Sequence, residues 1–214
     1  MKVKSKTSKS FKEGIKNYII ENYKDYLLVF SIFLIGIFIG VFIMNNYDEN
    51  KANIISNYIE QFINNLKNTN NIDKAELITT SIKENIFLAI GIWIAGTTVI
   101  GMPVVLVIIG IRGVSLGYTI SACTYSLGFW KGILFNIISL LLKNILFIPA
   151  ILTLGISSIK LYKSIIKDRR RENIKIEILR HTILSLIMLG VLVLSSVVEC
   201  IISIPLLKGV IRYF

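Results

Sequence analysis

Long apolar runs dominate the pattern of hydrophobic and polar positions along the chain. A helix that crosses a bilayer needs about 20 predominantly apolar residues, because each residue advances about 1.5 Å through roughly 30 Å of hydrocarbon. We assign the runs to five spans, at 26–44, 85–111, 113–130, 132–159 and 182–207. The pattern therefore predicts an all-α fold, a polytopic integral membrane helical bundle with about five transmembrane helices.

Single charges interrupt the later runs. Arg112 is all that separates the second run from the third, so we expect a tight membrane hairpin at this residue. Lys143 and Glu199 interrupt the fourth and fifth runs. A central charge costs ~2.5 to 3.5 kcal/mol on an insertion scale, and each large aliphatic residue or Phe returns ~0.3 to 0.6. The many apolar residues of these runs therefore keep insertion favourable.

The basic residues give the spans a direction. Segment 1–25 carries seven Lys and Arg residues and segment 160–181 carries eight, against four in segment 45–84 and two in the tail 208–214. The side of the membrane that is richer in these residues is cytoplasmic. This places the N-terminal segment 1–25 and a basic loop at 160–181 in the cytoplasm, and the loop 45–84 and the C-terminus outside. The net charge of +11 is then mainly a topology signal, and no nucleic-acid partner is predicted.

Small residues recur four apart within the spans. Lipid provides no hydrophobic drive for helix association, so close backbone approach at such residues becomes a main source of attraction. The predicted helix-packing pairs are Gly36 with Gly40, Gly113 with Gly117, and Gly128 with Gly132. Pro103 and Pro149 each lack a backbone donor within a span, so each is expected to kink its helix.

Lys143 and Glu199 are predicted to lie at similar depth. Lys143 lies eleven residues after the start of the fourth span, and Glu199 lies eight before the end of the fifth. At 1.5 Å per residue, their heights differ by about 5 Å. The two side chains are a candidate intramembrane ion pair in the outer leaflet. Intramembrane charges often mark function, so a structural pair and a working site both stay open.

The extracytoplasmic loop 45–84 contains a second candidate site. Its apolar residues recur at helical spacing from Ala52 to Lys67, which predicts an amphipathic helix. The apolar face is expected to pack on the bundle, to lie on lipid headgroups or to dock a partner. The residues of this candidate partner-docking face are Ile55, Tyr58, Ile59, Phe62 and Leu66.

Evidence for catalysis is weak. The run from Gly113 to Gly117 matches G-x-S-x-G around Ser115, but that motif requires a strand before its turn and none is predicted. An intramembrane serine protease would need Ser115 to face His181, the chain's single histidine. Cys123 and Cys200 both fall in apolar spans, where a small thiol commonly serves packing. We therefore predict no enzyme, no cofactor and no metal.

Nearly the whole chain resembles a known family, most recognisably between about residues 85 and 165. The similar residues are Asn85-Ile86-Phe87-Leu88, then Gly96, Gly101, Gly110, Gly113 and Gly117, then Leu142-Lys143-Asn144-Ile145-Leu146-Phe147-Ile148-Pro149-Ala150. In these residues the chain resembles the stage II sporulation protein M family of spore-forming Gram-positive bacteria. The resemblance implies a multi-pass protein of the mother-cell septal or engulfing membrane. It also implies protein partners like stage II sporulation proteins D and P, which degrade peptidoglycan, and no catalytic residues.

Resemblance and residue pattern together favour a non-enzymatic membrane anchor or scaffold for a septal peptidoglycan-degrading complex in forespore engulfment. The alternative is a transporter or permease component that uses Lys143 and Glu199, for which we expect a continuous polar cavity containing both charges. Membrane lipids are partners in either case, and self-association stays open.

Overall fold

The computed structural model describes residues 20, 22–68, 74–98, 101–167 and 171–211. Within this part of the chain all regular structure is helical. The α-helices are α1 (Tyr23–Asn45), α2 (Glu49–Asn68), α3 (Lys74–Thr97), α4 (Gly101–Leu127), α5 (Phe129–Asn136), α6 (Leu142–Lys167), α7 (Arg171–Val198) and α8 (Ile204–Ile211). One π-helical turn, Ile137–Leu141, joins α5 to α6, and another, Glu199–Ser203, joins α7 to α8.

Five stretches are long and apolar enough to cross a membrane. They are Tyr23–Asn45, Ile78–Thr97, Gly101–Leu127, Lys143–Ile166 and Ile174–Ile211. The prediction of an all-α membrane protein with five spans is therefore confirmed. The direction in which the spans cross stays a prediction.

The predicted hairpin at Arg112 is wrong. Arg112 lies inside the continuous helix α4, and the chain reverses between α3 and α4, after Thr97 and before Gly101. The second and third spans are therefore formed by α3 and α4, and the predicted bounds 85–111 and 113–130 are wrong. A lone charge within a span is not a turn signal, because a helix satisfies its own backbone hydrogen bonds whatever side chain it carries.

Backbone contacts of Thr98 and Gly101 accompany the reversal between α3 and α4. The Thr98 amide donates to the Ala95 carbonyl, and the Gly101 amide donates to the Thr98 carbonyl. A Cβ atom on Gly101 would lie 1.3 Å from the Ala95 oxygen, so this close turn requires glycine. Pro103 is the third residue of α4, where the missing donor breaks no helical bond. The predicted kink at Pro103 inside a span is thus wrong, whereas Pro149 does lie inside α6.

The predicted cytoplasmic loop 160–181 is mostly helical. Helix α6 continues to Lys167 and α7 begins at Arg171, and residues 168–170 lie outside the described residues. The fourth candidate span is Lys143–Ile166, so the predicted span 132–159 begins and ends too early. The fifth, Ile174–Ile211, extends beyond the predicted span 182–207 at both ends. Most of the segment 1–25 and the last residues of the tail 208–214 also lie outside the described residues.

The bundle has a packed apolar interior formed by α1, α3, α4, α6 and α7. Its centre is built from side chains without measurable exposure, among them Val29, Ile92, Val105, Ile109, Ile151, Leu154, Ile156 and Leu192. Large apolar side chains on the outside are exposed, as expected for lipid-facing helices; Phe38 is 71% and Phe87 83% exposed.

Polar contacts define the two ends of the bundle. At one end, here called the basic end, Lys163 of α6 forms an ion pair with Asp25 of α1. At the opposite end, called the α2 end, Ser121 donates to Asn45, and Ser56 of α2 donates to Ser126 of α4. Asp25, at the end of the segment 1–25, and Lys163, within the segment 160–181, therefore lie at the same end of the bundle.

Candidate functional site

The structure brings Lys143 and Glu199 together near the α2 end. The Lys143 Nζ atom lies 2.7 Å from Glu199 Oε2, and 23% and 28% of the two side chains remain exposed. Ser81 of α3 donates a hydrogen bond of 2.8 Å to the same carboxylate oxygen. Three helical elements thus meet at one carboxylate, and the opposite charges offset part of the cost of placing each in a span.

Two π-helical turns position this ion pair. Lys143 follows the turn Ile137–Leu141 by two residues, and Glu199 begins the turn Glu199–Ser203. The two turns contact each other. A π turn widens the helix by one residue and rotates the side chains that follow it. Pro205 lies two residues after the second turn, and its missing N–H breaks the regular hydrogen-bond pattern there.

A second polar contact extends the site along α3. Asn85 is 3% exposed and its amide nitrogen donates to the Leu192 carbonyl, at 3.0 Å, and to Ser196 Oγ, at 2.7 Å. Ser195 donates to the Lys143 carbonyl at 2.9 Å. We call the set Ser81, Asn85, Lys143, Ser195, Ser196 and Glu199 the polar layer. Sequence reasoning missed Ser81 and Asn85, although polar residues four apart on a span are a usable signal of one polar face.

The glycine pairs of α1 and α4 meet directly. A Cβ atom on Gly40 would lie 2.1 Å from the Val114 carbonyl oxygen, and one on Gly36 would lie 2.4 Å from that of Gly110. In the opposite direction, a Cβ on Gly117 would lie 2.1 Å from the Ile37 oxygen, and one on Gly113 2.3 Å from that of Phe33. The two backbones are therefore in contact, and we call this region the glycine crossing.

The third glycine pair has two different roles. Gly132 packs against α4, where an added Cβ would lie 2.5 Å from the Thr124 Cα atom. Gly128 has a φ of +79° and no neighbour within 4 Å of a built Cβ, so it permits the turn between α4 and α5. The packing prediction thus describes Gly132 but is wrong for Gly128.

The predicted docking face on α2 divides into two sides. Leu66 is buried, and Ile55 and Ile59 are partly buried, against side chains of α4 and of the helices around it. Tyr58 and Phe62, by contrast, are 72% and 47% exposed. Ile54 is 67% exposed and lies four residues before Tyr58. We call Ile54, Tyr58 and Phe62 the α2 stripe.

Ser115 and His181 have different surroundings. Ser115 lies on the exposed side of α4, within a continuous helix. His181 is 1% exposed in α7, and not in a loop as predicted; its Nδ1 atom lies 2.8 Å from Ser157 Oγ. A Cβ atom on Gly96 would lie 2.7 Å from the His181 Nε2 atom. His181 therefore lies within hydrogen-bond distance of Ser157 of α6.

The two cysteines lie within the helices of the bundle. Cys123 and Cys200 are both buried free thiols. Among the described residues, no group of three His, Cys, Asp or Glu side chains is placed to hold a metal ion.

Fold and sites together define a multi-pass helical membrane protein with a packed interior and a helix lying across one end. The family model of stage II sporulation protein M matches residues 29–204. The chain therefore belongs to this family, which makes it a sporulation-related membrane protein, and the predicted resemblance is confirmed. No curated protein and no solved structure matches the chain.

Proposed function

We propose that this protein is a non-enzymatic membrane scaffold that holds a septal peptidoglycan-degrading complex during forespore engulfment. The observation that carries the proposal is the α2 stripe, an exposed apolar surface at the α2 end of the bundle. Family membership links the chain to sporulation and supports the setting. The partners in this proposal are wall hydrolases resembling stage II sporulation proteins D and P.

Helix α2 is suited to present a surface because its other side is anchored. Ile63 and Leu66 pack with Phe135, Leu207 and Ile211, and Ser56 exchanges hydrogen bonds with Ser126. An anchored helix does not lose further conformational entropy when a partner binds, so more of the contact energy appears as affinity. Aromatic side chains such as Tyr58 and Phe62 are typical anchors of protein interfaces.

The packed interior counts against the transporter alternative. Ile92, Ile109 and Leu192 are completely buried at the centre of the bundle, where a transport path would need space. The ion pair is then a packing element that joins α6 to the end of α7.

Cysteine cross-linking in sporulating cells tests the scaffold role. Cysteine replaces Tyr58 or Phe62, and a short thiol-to-amine cross-linker is applied before affinity purification and mass spectrometry. The native Cys123 and Cys200 are buried, so the introduced thiol is the reactive one. We expect recovery of a wall hydrolase from both positions.

Asn64→Cys is the matched control, since Asn64 is exposed on α2 but lies on a different side from the α2 stripe. Recovery of no wall hydrolase from positions 58 and 62 would contradict the scaffold proposal. Equal recovery from position 64 would contradict docking through the α2 stripe. A Tyr58→Ser/Phe62→Ser variant is expected to keep normal membrane levels while engulfment fails.

A further inference from the structure

A groove between α3 and α4 contains charged side chains within the spans. It has a volume of about 550 Å³ and is lined by Lys83, Glu84, Phe87, Leu88, Gly91, Ile108 and Arg112. The lining residues of α3 recur three or four apart, so they share one face of that helix. Phe87 is 83% exposed, which opens the groove to the bundle surface.

Arg112 is the unusual member of this groove. It lies about 17 Å along α4 from Gly101, near the middle of the helix. Its guanidinium lies over the Phe147 ring, 5.9 Å from the ring centre, which supplies a weak counterpart for the charge. No ion pair joins Arg112 to any other residue that the structure describes. Glu84 lines the same groove but forms no ion pair with Arg112 in the part of the chain that the structure describes. An unpaired arginine in a span is costly, so an anionic group from outside the chain would stabilise it.

The groove has a net positive charge at one height. Lys83 and Glu84 lie on α3 about 20 to 21 Å from Thr97, close to the height of Arg112, because α3 and α4 are antiparallel neighbours. Two cations and one carboxylate leave one positive charge. This balance matches a phosphodiester, which carries one negative charge.

The length of the apolar part supports a lipid as the occupant. Between the charges and the ends of α3 at Thr97 and of α4 at Gly101, the groove walls extend only about 17 to 21 Å, whereas the hydrocarbon core is about 30 Å thick. Charges at this depth draw lipid headgroups inward or thin the bilayer locally. Phe87, Leu88 and Ile108 lie between the charges and the connection from α3 to α4, and they provide an apolar wall for an acyl chain.

We propose that this groove binds an anionic phospholipid, with Arg112 and Lys83 holding the phosphate and the α3–α4 wall holding an acyl chain. Arginine suits the phosphate because its planar guanidinium donates two parallel hydrogen bonds. Glu84 disfavours a second negative charge, so a singly charged headgroup such as phosphatidylglycerol fits better than a doubly charged one. The lipid would lie in the leaflet at the α2 end of the bundle.

Native mass spectrometry of the full chain, titrated with phosphatidylglycerol, measures this binding. Arg112→Gln is expected to weaken binding at least about tenfold, since it removes a charge-assisted hydrogen bond to the phosphate. Arg180→Gln is the matched control, because Arg180 is an exposed arginine at the basic end that pairs with Glu177. A diglucosyl diacylglycerol, which has acyl chains but no phosphate, is expected to bind wild type and Arg112→Gln equally weakly.

Gly91→Leu tests the acyl-chain part of the groove without removing a charge. A Cβ atom on Gly91 meets nothing within 4 Å, so the leucine fills the groove and leaves the helix packing intact. Gly190→Leu is its control, since Gly190 also has open space but lies on α7 outside the groove. We expect Gly91→Leu to lose phosphatidylglycerol and Gly190→Leu to keep it.

Binding that is unchanged in both Arg112→Gln and Gly91→Leu would overturn the proposal, as would equal affinity for the uncharged glycolipid. A cysteine at position 91 that cross-links to a protein helix in cells, in place of lipid, would also overturn it. These results are independent of the scaffold role, because the α2 stripe and the groove share no residue.

Discussion

The glycine crossing and the polar layer hold helices together in different ways. At the glycine crossing, the backbones of α1 and α4 are in direct contact. A Cβ atom added to Gly40 or to Gly117 would lie 2.1 Å from a carbonyl oxygen of the other helix. In the polar layer, α3, α6 and α7 stay further apart and are joined by side chains, such as Asn85 on Ser196 and Lys143 on Glu199. Both regions solve the same problem, which is association in lipid without a hydrophobic drive.

The difference predicts which of the two regions tolerates amino-acid substitutions. Backbone contact depends on the absence of a Cβ atom, so any other residue at these glycines forces the helices apart. A polar contact depends on matched groups, so removing both partners together leaves an apolar contact that lipid tolerates. The crossing is therefore sensitive to single substitutions, and the polar layer is sensitive mainly to unmatched ones.

The largest effect is expected from Gly40→Ala. The new Cβ atom would lie 2.1 Å from the Val114 oxygen and 2.7 Å from the Tyr118 nitrogen, both backbone atoms that cannot move without shifting α4. Overpacking of this kind costs about 1 to 3 kcal/mol or more, which lowers the unfolding temperature of a chain of this size by several degrees. Thermal unfolding in mild detergent, followed by tryptophan fluorescence, measures the effect.

Gly190→Ala is the matched control for this substitution. Gly190 also lies within a helix, but nothing is found within 4 Å of its built Cβ. Alanine is the better helix former by about 1 kcal/mol, so this variant should be as stable as wild type or slightly more stable. Equal destabilisation by the two substitutions would show that the glycine crossing has no special packing role.

A smaller effect is expected when the ion pair of the polar layer is broken. Lys143→Met or Glu199→Gln leaves one charge without its partner. Each single substitution should lower the free energy of unfolding by less than the ~3 to 5 kcal/mol lost when a fully buried ion pair is broken, because about a quarter of each side chain is exposed. The Lys143→Met/Glu199→Gln double variant should be more stable than either single variant.

A double-mutant cycle of unfolding free energies provides this comparison. Glu199→Gln keeps an oxygen that can accept from Ser81, so the cycle isolates the charge from the hydrogen bond. If the two single losses add in the double variant, the charges act independently and the ion pair contributes no coupling. Loss of a transported solute in the single variants, with stability unchanged, would revive the transporter alternative.

Several features were predictable because they depend on residues close in sequence or on helix geometry. The number of spans follows from apolar length, and the depths of Lys143 and Glu199 follow from the rise per residue. The glycines of α1 and α4 were found as small residues four apart. Which helix each pair contacts was not predictable, since spacing on one helix does not identify its neighbour.

The turn between α3 and α4 was missed for a physical reason. Residues 98–100 are Thr, Val and Ile, so hydropathy continues across the reversal without a gap. The usable signal was Gly101 followed by Pro103, a glycine at a close turn and a proline in the first turn of a helix. Arg112 was taken as the boundary because it is charged, although charge alone does not end a helix.

The α2 surface shows the same limit. Helical spacing correctly grouped Ile55, Ile59 and Leu66 as residues that need apolar contact, and these pack on the bundle. Tyr58 and Phe62 belong to the same apolar pattern but stay exposed. The pattern covers more of the helix than the bundle can bury, and only the positions of α4 and α8 decide which side is left over.

The smallest effects are expected at two serines that differ in their surroundings. Ser157→Ala removes the hydrogen bond to His181 Nδ1 and leaves a buried nitrogen without that partner. The expected cost is about 1 kcal/mol, the lower end of the range for such a loss, because alanine fills most of the space. Ser115→Ala changes an exposed side chain and should stay within about 0.5 kcal/mol of wild type. The free energies of unfolding of the two variants are compared in detergent, and engulfment is scored in cells. A Ser115→Ala protein that is normally stable but fails in engulfment would contradict the proposal of a non-enzymatic scaffold. The serine hydroxyl would then have a chemical role that helix packing does not explain.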